Sequence, residues 1–350
     1  TKSKIVSVMS FLFCFGGCLA YSLVIGDIFS SLLRGSLTGP SWLLSRQASI
    51  LALTVSVIYP LCNLKSLAAL APVSILGVIG TLVTTAFMAL RCPSLISSSP
   101  YAVPNAGFLK GLAQQPLFST YSRVQSPAPL VLVALSCIAF MAHFSSPDFY
   151  HAMKQGGEKT SEEKPKDSTL SDFHKVTVVG YSTVTLLNVL TLVFGFLTFG
   201  AGSLGNILSN YSTRDVGAIL ARLLTGIGVI GAYPIVMKAC AKAALELGNV
   251  KDNRRNELRA TVGLLAALTA ISLVVKDVGF VASLNGAIMG SNLVYTVPCI
   301  LFLKHTQSKR SQFSKLERGL CRGLIGFGFV SMIVGGATSV ICTFFPHLIG

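Results

Sequence analysis

Long apolar runs alternate along the chain with short connections that are mostly polar and basic. A helix needs about 20 apolar residues to cross the hydrocarbon core of a bilayer, and nine runs approach that length. They lie at roughly 5–33, 47–63, 66–90, 128–151, 174–200, 215–239, 257–275, 278–303 and 319–346. The pattern therefore predicts an all-α integral membrane protein in which residues 1–350 form a single transmembrane domain of about nine helices.

The fourth run loses its helical character halfway. It begins as an ordinary apolar span at 128, but after Met141 the sequence continues AHFSSPDFY. This polar, proline-containing stretch would stand at mid-membrane depth, where irregular backbone survives only if it lines a cavity or is buried in protein. A broken helix with polar groups at the break is the arrangement expected of a transporter's binding site. The candidate substrate contacts here are Ala142, His143, Ser145, Ser146 and Asp148.

Composition supports the membrane assignment. Hydrophobic residues make up 52% of the chain and charged residues only 12%, with a mean hydropathy of +0.68, whereas a soluble domain carries about 25% charged residues. The net charge of +15 would also suit a nucleic-acid partner. We exclude that partner because the basic residues sit in short loops between apolar runs, which is typical of membrane topology.

The same basic residues orient the chain. When the N-terminus is placed in the cytoplasm, 20 of the 28 Lys and Arg residues fall on the cytoplasmic side and 7 on the other, with Arg222 inside a span. Cytoplasmic loops carry the excess of basic residues. Residues 91–126 are then a proline-containing non-cytoplasmic loop, and residues 155–173 a charged, flexible cytoplasmic loop. Asn210 begins a glycosylation sequon on the non-cytoplasmic side.

Three ionisable residues each have two interpretations. Asp27, near the outer end of the first span, is a candidate for proton coupling, since an acid within a span is functional by default; alternatively it reaches water at the interface. His143 either exchanges protons near neutral pH or donates to carbonyls freed by the break. Asp148 either contacts substrate or caps the following half-helix, as Ser-Pro-Asp is a good helix start.

Other polar or small residues within the spans suggest packing more than chemistry. Arg222 is expected to snorkel toward water, or to pair with Asp27. The glycines of the sixth span either permit close helix approach or leave room for a ligand, and the polar residues of the eighth either line a cavity or pack. These residues are Gly226, Gly228, Gly231, Asn285, Asn292 and Tyr295.

The sequence offers no motif for catalysis, metal binding or a cofactor. The nine cysteines contain no CxxC pair and lie mostly inside apolar runs, where we interpret them as small packing residues. No nucleophile–base pair or phosphate-binding loop is found. We therefore predict a protein that is not an enzyme and holds neither a metal nor a cofactor.

Four motifs resemble a known family. The pattern HxxxPxxYxxMK from His143 to Lys154, the run GFLTFGAGSLGNILSN at 195–210, GDIFSSLL at 26–33 and the pair Pro298-Cys299 resemble the amino acid/auxin permease family. The closest branch is that of the vacuolar amino acid transporters and the vesicular inhibitory amino acid transporters. The motifs occur in the order of that family and extend through nearly the whole chain.

The resemblance implies a fold and an arrangement of the site. The family has eleven helices in a leucine-transporter-like inverted-repeat fold of the APC superfamily, so the nine runs correspond to its third to eleventh helices. Since the chain starts at Thr1, we expect a fragment that lacks two helices, the first broken helix among them. Residues Ala142 to Asp148 would flank substrate, with Tyr21 facing it and Tyr233 as a further contact. Tyr233 is a poor sodium ligand, which favours protons or exchange.

These inferences lead to one main functional hypothesis. The protein is expected to transport neutral amino acids by alternating access, coupled to protons or by exchange, as a monomer in the lipid bilayer. Vacuolar or endosomal membrane and plasma membrane both fit. The alternative is a non-transporting sensor that binds an amino acid and signals through its cytoplasmic loops.

Overall fold

The computed structural model describes residues 2–36, 39–64, 71–93, 100–101, 128–141, 150–151, 153, 166–200, 203–307 and 314–345. Within these ranges the regular structure is entirely helical. The helices are α1 (Lys2–Ser36), α2 (Arg46–Cys62), α3 (Ala71–Arg91), α4 (Ala128–Ala139), α5 (Lys166–Phe199), α6 (Val216–Leu247), α7 (Arg254–Val274), α8 (278–307) and α9 (Lys315–Phe344). A short 3₁₀ turn, Ile207–Asn210, precedes α6.

Six of the described helices are long and apolar enough to cross a membrane. They are α1, α5, α6, α7, α8 and α9, while α2 and α3 are shorter apolar helices. These helices confirm an all-helical membrane protein in the described part of the chain. The nine crossings and the inverted repeat stay predictions.

Polar residues that the sequence places between the apolar runs begin several of these helices. Asp215, Asn253 and Asp277 each accept a hydrogen bond from a backbone amide in the first turn of α6, α7 and α8. Ser314 and Glu317 form a capping box at the start of α9. Such caps satisfy amides that have no partner inside the helix, so the loop residues set where each helix starts.

Helix α5 begins earlier than the sequence pattern suggested. Its first residues, from Lys166 onward, belong to the stretch 155–173 that was predicted to be a flexible cytoplasmic loop. That part of the prediction was wrong, because polar residues can continue a helix beyond the apolar run. Residues 154–165 lie outside the described part of the chain, as do 94–99 and 102–126 of the predicted outer loop.

Helix α6 is the centre of the fold and packs lengthwise against α1 and α3. Its glycines make this approach possible: a Cβ added at Gly228 would lie 2.8 Å from the Cα of Gly77 on α3, and one at Gly226 would lie 2.9 Å from the ring of Phe29 on α1. Small residues let helix backbones come close in a membrane, where van der Waals packing drives association. The close-packing interpretation of these glycines is therefore the one the structure supports.

Loops assigned to the same membrane face meet at the same end of the molecule. At the end that the charge pattern assigns to the cytoplasm, Lys238 Nζ donates to the carbonyl of Leu64 at 2.7 Å, and Arg254 donates to the carbonyl of Asn63. At the other end, Arg46 donates to the carbonyls of Val275 and Lys276 at 3.1 and 3.3 Å. These contacts agree with the segregation of loops that the charge pattern predicted.

Candidate functional site

Helix α4 stops where the sequence pattern breaks. Its last helical residue is Ala139, and the amides of Phe140 and Met141 complete one further turn by donating to Ser136 and Ile138. Twelve helical residues reach about 18 Å, little more than half of a hydrocarbon core of about 30 Å. The sequence prediction of a span that ends inside the membrane agrees with this helix end.

The end of α4 is held by a side chain of α5. The hydroxyl of Tyr181 donates to the carbonyl of Phe140 at 3.3 Å. A carbonyl at a helix end has lost its partner inside the helix, and in hydrocarbon it needs another. The candidates Ala142, His143, Ser145, Ser146 and Asp148 follow directly but lie outside the described residues. Their roles stay predictions.

A second polar group lies halfway along α1 and α6. The hydroxyls of Ser22 and Tyr233 are 3.1 Å apart and hydrogen-bonded, and the rings of Tyr21 and Tyr233 have centroids 6.3 Å apart. Tyr233 is 1% exposed, and both tyrosines belong to an apolar cluster built from α1, α2, α6, α7 and the start of α8. The structure thus brings together Tyr21 and Tyr233, the two site candidates from different helices. Ser22 was missed, and its only sequence signal is its position beside Tyr21.

Apolar packing connects this tyrosine pair to the end of α4. Met141 packs on a cluster that includes Phe13 and Cys14 of α1 and Cys240 of α6. Three residues at the edge of that cluster, Phe15, Val236 and Leu264, also pack against the cluster that contains Tyr233. The described residue nearest the break and the buried tyrosines therefore share one helix interface.

Helix α8 supports α4 and α1 through two π-helical turns, Gly286–Gly290 and Asn292–Thr296. Asn285 donates to the carbonyl of Phe13 at 3.1 Å and fills the space above Gly16. Asn292 donates to the carbonyl of Ile288 at 2.7 Å. Both asparagines thus hold backbone carbonyls of α1 and α8, which is a packing role. Turns of π-helix are rare and occur often at functional sites.

Tyr295 also has its described contacts with protein groups. Its ring packs against that of Phe327 on α9, with the two centroids 5.2 Å apart. The structure accounts for this side chain, too, by packing between α8 and α9.

Asp27 pairs with Arg46 and not with Arg222. The Arg46 Nε lies 2.6 Å from the Asp27 carboxylate, and their side chains are 17% and 22% exposed. The pair joins the end of α1 to the start of α2, and Arg46 also donates to carbonyls between α7 and α8. The alternative pairing with Arg222 was wrong, since Arg222 is engaged elsewhere. This geometry suits an interfacial clamp.

If Asp27 serves only as this clamp, Asp27→Asn should lower the thermal stability of the purified protein modestly, as a partly exposed ion pair contributes about 1 kcal/mol or less. Arg46→Gln should cost more, because it also loses the bonds to the carbonyls of Val275 and Lys276, and the double variant should cost no more than Arg46→Gln alone. This order of stability losses, combined with an unchanged pH dependence of uptake, would assign Asp27 a structural role. A changed pH dependence in Asp27→Asn alone would support proton coupling.

Arg222 is buried, contrary to the prediction that it snorkels to water. It is 1% exposed, and its guanidinium donates to the carbonyls of Leu208, Tyr211 and Ser212. A planar guanidinium presents several donors in a fixed fork, which matches the clustered carbonyls of a tight turn. The side chain of Arg222 therefore holds residues 208–212, the segment before α6, in place through their backbone carbonyls.

A cluster of charged and hydrogen-bonding groups lies where that segment leads into α6, around Asp215. Asp215 accepts bonds from Arg91 at 2.9 and 3.1 Å, from the hydroxyl of Tyr101 at 3.1 Å and from the amide of Gly217 at 2.9 Å. Burial raises the pKa of this carboxyl, but the three donors outweigh burial and lower the pKa below its usual value. The ionised form is therefore favoured in the folded protein.

This lowered pKa predicts a pH-dependent stability. Because the folded-state pKa of Asp215 is below that of the unfolded chain, the stabilisation is present above the unfolded-state pKa and is lost as the pH falls through the folded-state pKa. Asp215→Asn, which keeps an oxygen for the cap on Gly217, should melt at a lower temperature than the wild type at neutral pH. The difference should shrink on acidification. A difference that stays constant down to strongly acidic pH would contradict the assignment.

Asn210, the predicted glycosylation acceptor, is the last residue of the 3₁₀ turn. Its side-chain oxygen accepts a hydrogen bond from the amide of Leu204 at 2.9 Å. Glycosylation at this position stays a prediction. Among the described residues no group of three or more metal-binding side chains is found, and the prediction that the protein holds no metal is not tested further.

Comparison with known proteins identifies the family to which the chain belongs. The model of the family described as "Transmembrane amino acid transporter protein" matches residues 1–341. The chain is 25% identical over 336 residues to the putative sodium-coupled neutral amino acid transporter 11 of Danio rerio, covering 95% of this chain and 68% of that protein.

Two further relatives have similar identities. Vacuolar amino acid transporter 2 of Saccharomyces cerevisiae is 24% identical over 345 residues, which cover 94% of this chain and 66% of that protein. Sodium-coupled neutral amino acid transporter 7 of Mus musculus is 23% identical over 344 residues, which cover 92% and 66%. The chain thus spans about two thirds of the length of these relatives.

Proposed function

Because the chain belongs to the transmembrane amino acid transporter family, we propose that this protein moves neutral amino acids across a membrane by alternating access. The observation that carries the proposal is the placement of polar groups inside the membrane. A helix end at Ala139 and the Ser22–Tyr233 pair lie on one helix interface otherwise filled by apolar side chains. Polar groups in a membrane are costly, and they mark substrate pathways.

The substrate would bind beside the break. Half-helix ends offer partial charges that suit the carboxylate and ammonium groups common to all amino acids. Ala142, His143, Ser145, Ser146 and Asp148 are the proposed contacts from the broken segment. Tyr21 and Tyr233 would close the cavity from α1 and α6, since the centroids of their rings already lie 6.3 Å apart. Relatives named as neutral amino acid transporters support the substrate class.

We propose protons as the coupling ion, with exchange as the alternative mode. Hard cations bind through several oxygen ligands, and Tyr233 carries the only hydroxyl between Val229 and Pro234. That hydroxyl is buried and bonded to Ser22, which makes it a poor ion ligand. Some relatives are named as sodium-coupled, so sodium is the competitor that an experiment must separate.

Uptake of a radiolabelled neutral amino acid into proteoliposomes that contain the full-length protein tests the function. Saturable uptake driven by a pH gradient, abolished by an uncoupler and unchanged when sodium is replaced by N-methylglucamine, is the expected result. Uptake that requires sodium would overturn proton coupling but leave amino acid transport in place. Saturable binding without flux would overturn transport itself.

His143 is the proposed carrier of the coupling proton. His143→Ala should abolish accumulation driven by the gradient but leave counterflow exchange, since exchange needs a substrate site and no net proton movement. The matched control is His174→Ala, because His174 is exposed on the first part of α5. Normal accumulation by His143→Ala would exclude His143 as the carrier.

A further inference from the structure

A cleft of about 500 Å³ lies on the membrane-facing surface between α2 and α7. Its walls are almost entirely apolar, with the hydroxyls of Thr54 and Thr269 among them. The lining residues are Leu51, Thr54, Val55, Tyr59, Val262, Leu265, Ala266, Thr269, Ala270 and Leu273. None of these residues belongs to the proposed transport site.

The shape of the cleft follows from a defect in α2. A π-helical turn, Thr54–Ile58, interrupts α2 at the middle of the cleft, and such turns add a residue and re-aim the neighbouring side chains. Helix α7 runs antiparallel, so Val262 lies at the cytoplasmic end and Leu273 at the outer end. The eleven steps from Val262 to Leu273 rise about 16 Å, about half the thickness of a hydrocarbon core. The cleft therefore has the length of one leaflet.

The wall of the cleft on α7 continues into two arginines. Arg255, Arg259, Val262 and Ala266 follow one another at intervals of three or four residues, which places them on one face of the helix. Both arginines are exposed, and they lie in the first turns of α7, at the membrane face that the basic loops assign to the cytoplasm. Two positive charges, those of Arg255 and Arg259, therefore border the cytoplasmic end of the cleft, which we call its mouth.

Neighbouring contacts hold the mouth in place, and among the described residues they engage Arg254 and not Arg255 or Arg259. Arg254 turns away and donates to the carbonyl of Asn63, at the end of α2, and also pairs with Glu257 at 3.3 Å. Lys238 of α6 binds the next carbonyl, that of Leu64. These bonds fix the cytoplasmic ends of α2 and α7 relative to each other, so the cleft is a built feature of the fold.

We propose that the cleft binds an anionic phospholipid of the cytoplasmic leaflet. One acyl chain would lie between α2 and α7, and the phosphate would pair with Arg255 and Arg259. Guanidinium groups bind phosphate oxygens in a bidentate manner, and basic pockets between helices on the cytoplasmic side bind acidic headgroups. A neutral lipid or a sterol would leave the two arginines unpaired. The proposal requires a membrane-spanning chain whose basic loops face the cytoplasm, and it does not depend on transport.

Photo-crosslinking tests the proposal directly. The full-length protein is placed in nanodiscs that contain phosphatidylserine with a diazirine in its acyl chain, and the labelled peptides are identified by mass spectrometry. Label should concentrate on α2 and α7. The double variant R255Q/R259Q should reduce that label roughly thirtyfold, since each basic residue near the surface contributes about 1 kcal/mol to binding an anionic lipid and 1.4 kcal/mol corresponds to a factor of about ten. The corresponding phosphatidylcholine probe should label these helices weakly.

Two matched controls make the outcome decisive. K304Q/R322Q removes the same charge from the cytoplasmic ends of α8 and α9 and should keep the label on α2 and α7. Ala266→Phe fills the cleft and should lose the label, whereas Ala267→Phe, on another face of α7, should keep it. The proposal is overturned by uniform labelling of all helices, by equal labelling from phosphatidylcholine, or by equal losses in R255Q/R259Q and K304Q/R322Q.

Discussion

Replacement of Arg222 by methionine should cost on the order of 3 kcal/mol of stability, because hydrogen bonds from a charged donor are worth about 1.5–3 kcal/mol each and buried acceptors left unsatisfied are costly. The carbonyls of Leu208 and Ser212 each accept a second, weaker bond of 3.4 Å from a backbone amide. The carbonyl of Tyr211 should therefore suffer most. The melting temperature of the detergent-solubilised protein should fall by several degrees.

The control for this change is Arg214→Met. Arg214 is exposed on the same segment, so its loss should leave the melting temperature nearly unchanged. Arg222→Lys should fall between the two, because a single ammonium cannot reach three carbonyls as the guanidinium fork does. Equal melting temperatures for Arg222→Met and Arg214→Met would show that the buried bonds contribute little.

Gly286→Ala adds only one methyl group, but it should lower the stability of the protein severely. A Cβ at this position would lie 2.0 Å from the carbonyl oxygen of Ala134 on α4. Backbone cannot move aside by changing a rotamer, so α4 and α8 must separate, and such overpacking costs about 1–3 kcal/mol or more. Because α4 leads directly into the broken segment, uptake should fall together with thermal stability.

Alanine substitutions at two other glycines serve as comparisons for Gly286→Ala. A Cβ at Gly290 would lie 2.9 Å from the Cβ of Cys137, a milder clash, and a Cβ at Gly263 would meet nothing within 4 Å. We expect Gly263→Ala to be neutral or stabilising, since alanine favours a helix by about 1 kcal/mol over glycine, and Gly290→Ala to be intermediate. A different order of melting temperatures would contradict the packing of α4 against α8.

Local features of the fold could be predicted from the sequence because the membrane imposes them. A lipid-exposed backbone must bond to itself, so apolar runs become helices, and Asp215, Asn253 and Asp277 begin helices where the runs begin. The end of α4 was predictable for the same reason. His143, Ser145 and Pro147 cannot continue an ordinary span.

Pairings between distant segments could not be predicted in this way. Asp27 was seen as an ionisable residue in a span, but nothing local identifies Arg46 as its partner. Arg222 was expected to reach water because no acceptor is evident near it in the sequence. Its acceptors are backbone carbonyls, which any residue provides and which composition therefore cannot reveal.

The residues of the candidate site could also be predicted only in part from the sequence. The family resemblance led to Tyr21 and Tyr233, and the structure brings them together. Ser22 carried no signal of its own, since a serine in an apolar helix is ordinary, and its role depends on a bond to a residue 211 positions away. The sequence thus indicates which helices contact each other. It does not indicate which hydroxyl groups form hydrogen bonds between those helices.

The weak burial of α5 has a mechanical consequence. Most of its side chains face outward, and lipid tails solvate them about as well as protein does. Two polar contacts stand apart from this surface: Thr191 bonds to Thr85 of α3 at 3.1 Å, and Tyr181 bonds to the end of α4. These contacts lie about 15 Å apart along a stiff helix. The segment of α5 between Tyr181 and Thr191 is then a stiff strut, and its length sets the spacing between α3 and the end of α4 for as long as both bonds hold.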